Sequence, residues 1–102
     1  MTKYYELKYI YENKIGGYNV ITIGAFDDLV IATTKTEEIV DKTIDSLHEA
    51  LKKFASTNIN LTNSSYGVYS IQVEKGFFKE WHTFVLEQQE MNTIHYEVED
   101  LL

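Results

Sequence analysis

Three histidines are the side chains of this chain best suited to bind a metal ion or to transfer a proton near neutral pH: His48, His82 and His95. Zinc sites commonly draw on two ligands spaced as His-x-x-x-His or Glu-x-x-His, and neither spacing occurs here. Only His82 and His95 could lie near each other, and in the strand register predicted below they face opposite ways. We therefore predict no metal site and no cofactor.

Two adjacent acids, Asp27 and Asp28, form the best candidate for paired-carboxylate chemistry. They follow a stretch with strand character, and acids in that position commonly form turns. The serines and threonines are not set in a Gly-x-Ser-x-Gly elbow, and Gly16-Gly17 lacks the spacing and lysine of a phosphate-binding loop. The sequence thus gives no support for an enzyme, and we predict a binding protein.

The charge of the chain is its most unusual property. All nine cationic side chains are lysine, the net charge is -7, and the segment from position 79 to the last residue holds six acids against one lysine. Arginine is the usual residue for bidentate phosphate recognition, and bases normally stack on aromatic rings inside a cationic groove. We therefore predict that the protein does not bind nucleic acid directly.

Alternating residues near the amino terminus predict the elements that would position these groups. Residues 4–12 carry tyrosine and leucine on one side and mainly charged residues on the other, which is the period of a strand. A turn over residues 13–17 and a β-branched run over 18–23 predict a hairpin. Gly24 is expected at a bulge, and residues 29–33 are expected to form a short third strand.

One helix is predicted over residues 36–54. Its apolar stripe recurs at intervals of four and three residues: Val40, Ile44, Leu47, Leu51 and Phe54. Thr34 with Glu37 matches a capping box, and Thr36 is an alternative N-cap. We expect the stripe to cover one face of a sheet.

The second half predicts a polar loop over residues 55–65 and strands over 66–75, 79–87 and 93–99. Residues 77–90 also fit one face of a helix, so a short helix is the alternative there. The predicted fold is a single α+β domain over residues 1–102. An antiparallel sheet of five to six strands carries one amphipathic helix on one face, in the order β-β-β-α-β-β-β.

Burial of apolar side chains predicts a register between the last two strands. Pairing Leu86 with Ile94, Phe84 with Tyr96 and His82 with Val98 places these residues on one face, around a loop over residues 88–92. The opposite face then carries a tryptophan among carboxylates. The predicted partner-binding residues are Trp81, Glu87, His95, Glu97, Glu99 and Asp100.

These features predict a small acidic inhibitor or modulator that occupies the basic, nucleic-acid-binding surface of another protein, because carboxylates on a rigid sheet can substitute for phosphates. In size, acidity, lack of cysteine and abundance of Lys, Asn, Ile and Tyr, the chain resembles the small proteins that phages and mobile elements make against host nucleases, including anti-CRISPR proteins.

Three other interpretations stay open. The acidic face could merely keep the protein soluble. The protein could instead be a module that binds a small ligand through Tyr9, Tyr11, Tyr18 or Trp81. It could also be a structural subunit that forms homo-oligomers through exposed strand edges. The sequence shows no apolar run long enough to span a membrane and no signal-peptide pattern, so we expect a cytoplasmic protein without a membrane partner.

Overall fold

The computed structural model describes residues 3–54 and 56–90. It contains one antiparallel five-stranded sheet and one helix packed on it, which confirms the predicted α+β class. The elements are β1 (Lys3–Asn13), β2 (Tyr18–Phe26), α1 (Leu29–Leu51), β3 (Thr57–Ser65), β4 (Val68–Lys75) and β5 (Phe78–Glu90). The described order is therefore β-β-α-β-β-β. Within these residues, no helix combines the length and apolar character needed to cross a membrane.

The strands lie in the order β2-β1-β5-β4-β3, with β5 in the centre. The predicted hairpin of β1 and β2 is confirmed, and its register shifts opposite Leu7 and Lys8, where Gly24 and Thr22 are the partners and Ile23 is the extra residue. The expected bulge thus lies next to Gly24. On its other edge, β1 pairs with β5 from Lys3–Glu90 to Asn13–Glu80.

The predicted pairing of His82 with Val98 and of Phe84 with Tyr96 is wrong, because both edges of β5 are already occupied at these residues. Phe84 pairs with Tyr9 on β1 and with Tyr69 on β4, and His82 pairs with Tyr11 and Ile71. Residues 88–90, predicted to begin a loop, continue β5 beside β1. The alternative of a helix over residues 77–90 is also wrong, and the predicted strand over residues 93–99 lies outside the described residues.

The predicted third strand, over residues 29–33, is wrong: these residues form the first turns of α1. Their run of Leu, Val, Ile and Ala favours a strand by local preference, since β-branched residues suit a sheet. Packing decides otherwise, because Ala32, Thr36 and Val40 recur every four residues and are all buried. The apolar stripe of the helix therefore begins at Ala32, about two turns before Val40, where the sequence indicates its start.

The predicted caps of the helix are also wrong. Asp28 is the N-cap, and its Oδ1 accepts a hydrogen bond from the Ile31 amide at 3.0 Å. Thr36 lies inside the helix, where its hydroxyl donates to the Ala32 carbonyl at 2.7 Å. The helix ends at Leu51 rather than at Phe54.

Most of the predicted polar loop over residues 55–65 is the edge strand β3. Its alternation is short, because only Ile59 and Leu61 are apolar: they pair with Val73 and Ile71, while Asn and Thr occupy the positions beside them. A high content of Asn and Thr is typical of a loop when the segment is considered alone. Pairing with the apolar strand β4 overrides that preference.

The core lies between α1 and the sheet face that it covers. Its buried members are Leu7, Val40, Ile71, Val73 and Phe84, and none is more than 2% exposed. We call the sheet face that carries Leu7 and Phe84 the helix-side face. We call the other the open face, because none of the described elements packs on it. Successive strand residues alternate between the two faces.

Candidate functional site

The open face carries a tryptophan on its central strand. Pairing through β5 brings alternate residues of β1, β4 and β5 onto this face, and Trp81, Thr83, Val85 and Glu87 lie there as the sequence predicts. His82 lies on the opposite, helix-side face, also as predicted, in line with buried Phe84. The central position of β5 means that Trp81 is supported by a strand on each side.

Charge on the open face is mainly negative. Its charged members on β1, β4 and β5 are four glutamates and two lysines: Glu6, Glu12, Glu74, Glu87, Lys8 and Lys79. Lys8 Nζ lies 3.4 Å from Glu6 Oε1 and 3.8 Å from Glu87 Oε2, and Lys79 Nζ lies 3.8 Å from Glu74 Oε1. Both lysines are thus engaged by glutamates of the same face, and two net negative charges remain.

Trp81 and Glu12 form the most distinctive pair on this surface. They are directly opposite each other on β5 and β1, where antiparallel partners hold their Cβ atoms about 5 Å apart. With Ser70 and Thr83 they line a shallow depression of about 290 Å³. Glu12 is exposed and forms no ion pair with any residue that the structure describes. An unneutralised carboxylate therefore stands beside an indole ring.

Two of the six predicted partner-binding residues, Trp81 and Glu87, are on the open face, and Glu87 forms the ion pair with Lys8. The other four, His95, Glu97, Glu99 and Asp100, lie outside the described residues. The sequence-based prediction missed Glu6, Glu12 and Glu74 as members of this face. Alternation on β1 and β4 already placed each of them opposite the apolar residues, but only the pairing with β5 brings them beside Trp81.

The helix-side face contains a hydrogen-bonded chain of side chains that sequence reasoning did not find. Tyr9 Oη lies 2.6 Å from His82 Nδ1, and His82 Nε2 lies 3.2 Å from Glu80 Oε1. The other oxygen of Glu80 accepts from the Tyr11 hydroxyl at 2.8 Å, and Asn13 donates to the same hydroxyl at 3.3 Å. Both ring nitrogens of His82 are therefore engaged by protein groups.

Burial and the Glu80 carboxylate set the ionisation of these tyrosines. Burial raises the pKa of Tyr9 above its ordinary value, and the charges of Glu80 and ionised Tyr11 add to the effect. For Tyr11, the hydrogen bond from Asn13 lowers the pKa, but burial and Glu80 together outweigh it and the pKa is raised. The neutral hydroxyls are stabilised in both residues, which suits them to bridge His82 and Glu80 rather than to act as nucleophiles.

This chain of side chains lies at one end of a groove between α1 and the sheet. The groove has a volume of about 560 Å³, and Tyr9, His82, Phe84, Ile23 and Leu47 contribute to its lining. Its walls are mainly apolar, and its size falls in the range of about 300 to 1,000 Å³ typical of small-molecule sites.

Comparison with known proteins gives no relative, since no protein family, curated protein or solved structure matches the chain. The functional conclusion therefore rests on the geometry and chemistry of the molecule itself.

Proposed function

We propose that the protein is a small acidic inhibitor or modulator that docks through its open face onto a basic surface of another protein. The observation that carries this proposal is a sheet face that no described element covers, with Trp81 on its central strand and an excess of carboxylates around it. Tryptophan is enriched at binding hot spots, and opposite charges speed the encounter between partners and fix their orientation. The proposed activity is binding, without catalysis.

The Trp81 and Glu12 pair is suited to a partner arginine. A guanidinium stacks on an indole face and donates two parallel hydrogen bonds to a carboxylate, so one side chain would satisfy both groups. The two lysines on the open face cannot neutralise Glu12, because each already lies beside other glutamates. Arginine is also the residue with which proteins most often recognise phosphates. Carboxylates at these positions would therefore compete with the phosphates of a nucleic acid for the same partner surface.

A nucleic-acid-binding enzyme is accordingly the partner class that we propose. The inhibitor would need no arginine of its own, which agrees with a composition of nine lysines and no arginine. The net charge of -7 would attract the partner over a distance comparable to the Debye length, about 10 Å at 0.1 M salt. A resemblance in composition to anti-CRISPR proteins and nuclease inhibitors points to the same class.

Affinity capture from a host lysate at two salt concentrations tests the proposal. We expect a basic nucleic-acid enzyme to be retained at about 0.1 M salt and released at about 1 M, where the Debye length falls to about 3 Å. Trp81→Ala should weaken its binding by about 30-fold, a hot-spot loss of about 2 kcal/mol, and Glu12→Gln or Glu87→Gln by about two- to five-fold each.

Matched controls keep this test specific to the open face. Phe77→Ala removes an aromatic side chain that is 94% exposed in the turn before β5, and Asp41→Asn removes an exposed carboxylate on α1. Both variants should retain the partner as the unmodified protein does. An equal or smaller loss for Trp81→Ala than for Phe77→Ala, or retention that does not depend on salt, would contradict docking through this face.

A second candidate function is the binding of a small apolar ligand in the groove beside α1. It is favoured by the volume of about 560 Å³ and the mainly apolar lining around Tyr9 and His82. Thermal stabilisation by one compound of a metabolite panel, lost in Leu47→Glu, would favour this function over docking. The docking proposal predicts no such stabilisation.

A further inference from the structure

We propose that two copies of this chain associate through β2, pairing their β2 strands antiparallel to make one continuous ten-stranded sheet. Strand β2 forms one edge of the sheet, so one side of its backbone has no strand partner in the described chain. A row of unpaired N–H and C=O groups is a template for a further strand. This association stands apart from docking through the open face.

The side chains of β2 fit a strand that has neighbours on both sides. It contains no charged residue and no proline over its whole length. Val20 is 44% exposed on the open face, and Ile21 and Ile23 are 47% and 41% exposed on the helix-side face. Natural edge strands are usually protected by lysine, proline or inward-pointing charge. A strand with exposed aliphatic residues on both faces instead resembles the interior of a sheet.

Charge favours a second copy as the occupant. Two molecules that each carry a net charge of -7 repel, so a self-association surface has to be free of carboxylates, and β2 is. In the paired sheet, the charged strand β1 of one copy would lie three strand spacings from β1 of the other, about 14 Å away. That distance exceeds the Debye length of about 8 Å at physiological salt, so the remaining repulsion is largely screened.

The other edge of the sheet is less apolar. Strand β3 is also uncharged, but it is made mainly of Asn, Ser and Thr. Its Leu61 side chain is large, apolar and 48% exposed. The two edges thus differ in apolar content, and a second copy gains more apolar burial at β2 than at β3.

The bulge in β2 sets the register of the proposed pair. The regular ladder runs from Tyr18 to Thr22 and is interrupted at Ile23, so a symmetric five-residue pairing is centred on Val20. Val20 then lies opposite Val20 of the second copy, and Tyr18 lies opposite Thr22. The two-fold axis runs perpendicular to the sheet, because antiparallel strands in one sheet are related in that way. Both helices consequently lie on one side of the dimer.

Sedimentation or light scattering over a concentration series tests the association. We expect the mass to rise from that of a monomer to that of a dimer, and Ile21→Lys to weaken dimerisation by about 100-fold or more, because each dimer loses two buried aliphatic contacts. Leu61→Lys is the matched control: Leu61 is 48% exposed against 47% for Ile21, lies on the same face and occupies the other edge strand. It should dimerise as the unmodified protein does.

Cysteine cross-linking tests the register, since the chain has no cysteine of its own. Val20→Cys should form a disulfide-linked dimer faster than Asn19→Cys or Ile21→Cys, because only position 20 faces its own copy within the Cα distance of about 4.5 to 5.5 Å that a disulfide accepts. Thr62→Cys, on the open face of β3, should cross-link no faster than random collision allows.

Three outcomes would overturn the proposal: a monomer at all concentrations up to about 1 mM, equal weakening by Ile21→Lys and Leu61→Lys, or equal cross-linking at positions 20 and 62. A monomer whose captured partner is lost in Ile21→Lys would assign the β2 edge to that partner and also overturn it. Trp81→Ala, by contrast, leaves the dimer mass unchanged, so failure of the open-face docking is distinguishable from failure of this association.

Discussion

Replacing Gly67 by alanine probes how the turn between β3 and β4 is fixed to the central strand. Gly67 is buried and has a φ of +78°, and a Cβ built on it would lie 2.8 Å from the Leu86 carbonyl oxygen. Its own carbonyl accepts a hydrogen bond from the Leu86 amide at 2.8 Å. Gly76 has a similar φ of +62°, but no atom lies within 4 Å of the corresponding Cβ position.

The two glycines therefore separate backbone strain from steric contact. The left-handed conformation alone costs an alanine roughly 1 kcal/mol, which is the expected loss for Gly76→Ala. Gly67→Ala adds a contact with a backbone oxygen that can be relieved only by moving the turn away from Leu86, which weakens a hydrogen bond worth about 1 kcal/mol. We expect a total loss of about 2 to 3 kcal/mol for Gly67→Ala.

Urea denaturation followed by the fluorescence of the single tryptophan measures both losses. The midpoint should fall more for Gly67→Ala than for Gly76→Ala while the slope stays unchanged, because the surface exposed on unfolding is the same. Trp81 is on β5, so its signal reports the strand that Gly67 contacts. Equal losses in the two variants would refute the role assigned to the Leu86 contact.

Two further predictions concern the helix cap and the tyrosine next to His82. Asp28→Ala should lower the stability by about 1 kcal/mol in thermal unfolding, whereas Thr34→Ala, at the position of the cap expected from sequence, should change it little; the reverse order would contradict the observed cap. Because burial raises the pKa of Tyr9, the native state holds that proton longer than the unfolded state. The resulting stability is present below about pH 10 and is lost as the pH rises further. In Tyr9→Phe, the free energy of unfolding should therefore fall less steeply above about pH 10 than in the unmodified protein. Tyr18→Phe, on the exposed edge strand, should leave that pH dependence unchanged.

The parts of the fold that the sequence predicts correctly are those with a strong local period. The alternation along β1 and the stripe from Val40 to Leu51 indicate a strand and a helix whatever surrounds them. Residues 29–33 and 57–65 have composition that opposes their structure, and tertiary packing decides both. The β-branched run over residues 29–33 is helical because Ala32 is buried there. The Asn-rich run over residues 57–65 is a strand because it pairs with the edge of β4.

The candidate site was predictable only in part, since it depends on which strands are neighbours. Alternation within β5 correctly separates Trp81 from His82. It cannot show that β1, some 70 residues earlier, rather than a later segment, lies beside β5 and supplies Glu12. The sequence did not predict the contact between Tyr9 and His82 for the same reason: the two residues are 73 positions apart and meet only because β1 pairs with β5.

The pairing of the first strand with the last described one also governs how the chain folds. Lys3 pairs with Glu90, so the central ladder cannot close until nearly all of the described residues are available. Closure of so long a loop is entropically unfavourable, and folding rates fall as contacts become more distant in sequence. During synthesis, the β1 and β2 hairpin forms before β5 emerges from the ribosome, and the aliphatic residues of β2 stay exposed in that interval. We expect this domain to fold more slowly than a helical protein of similar size.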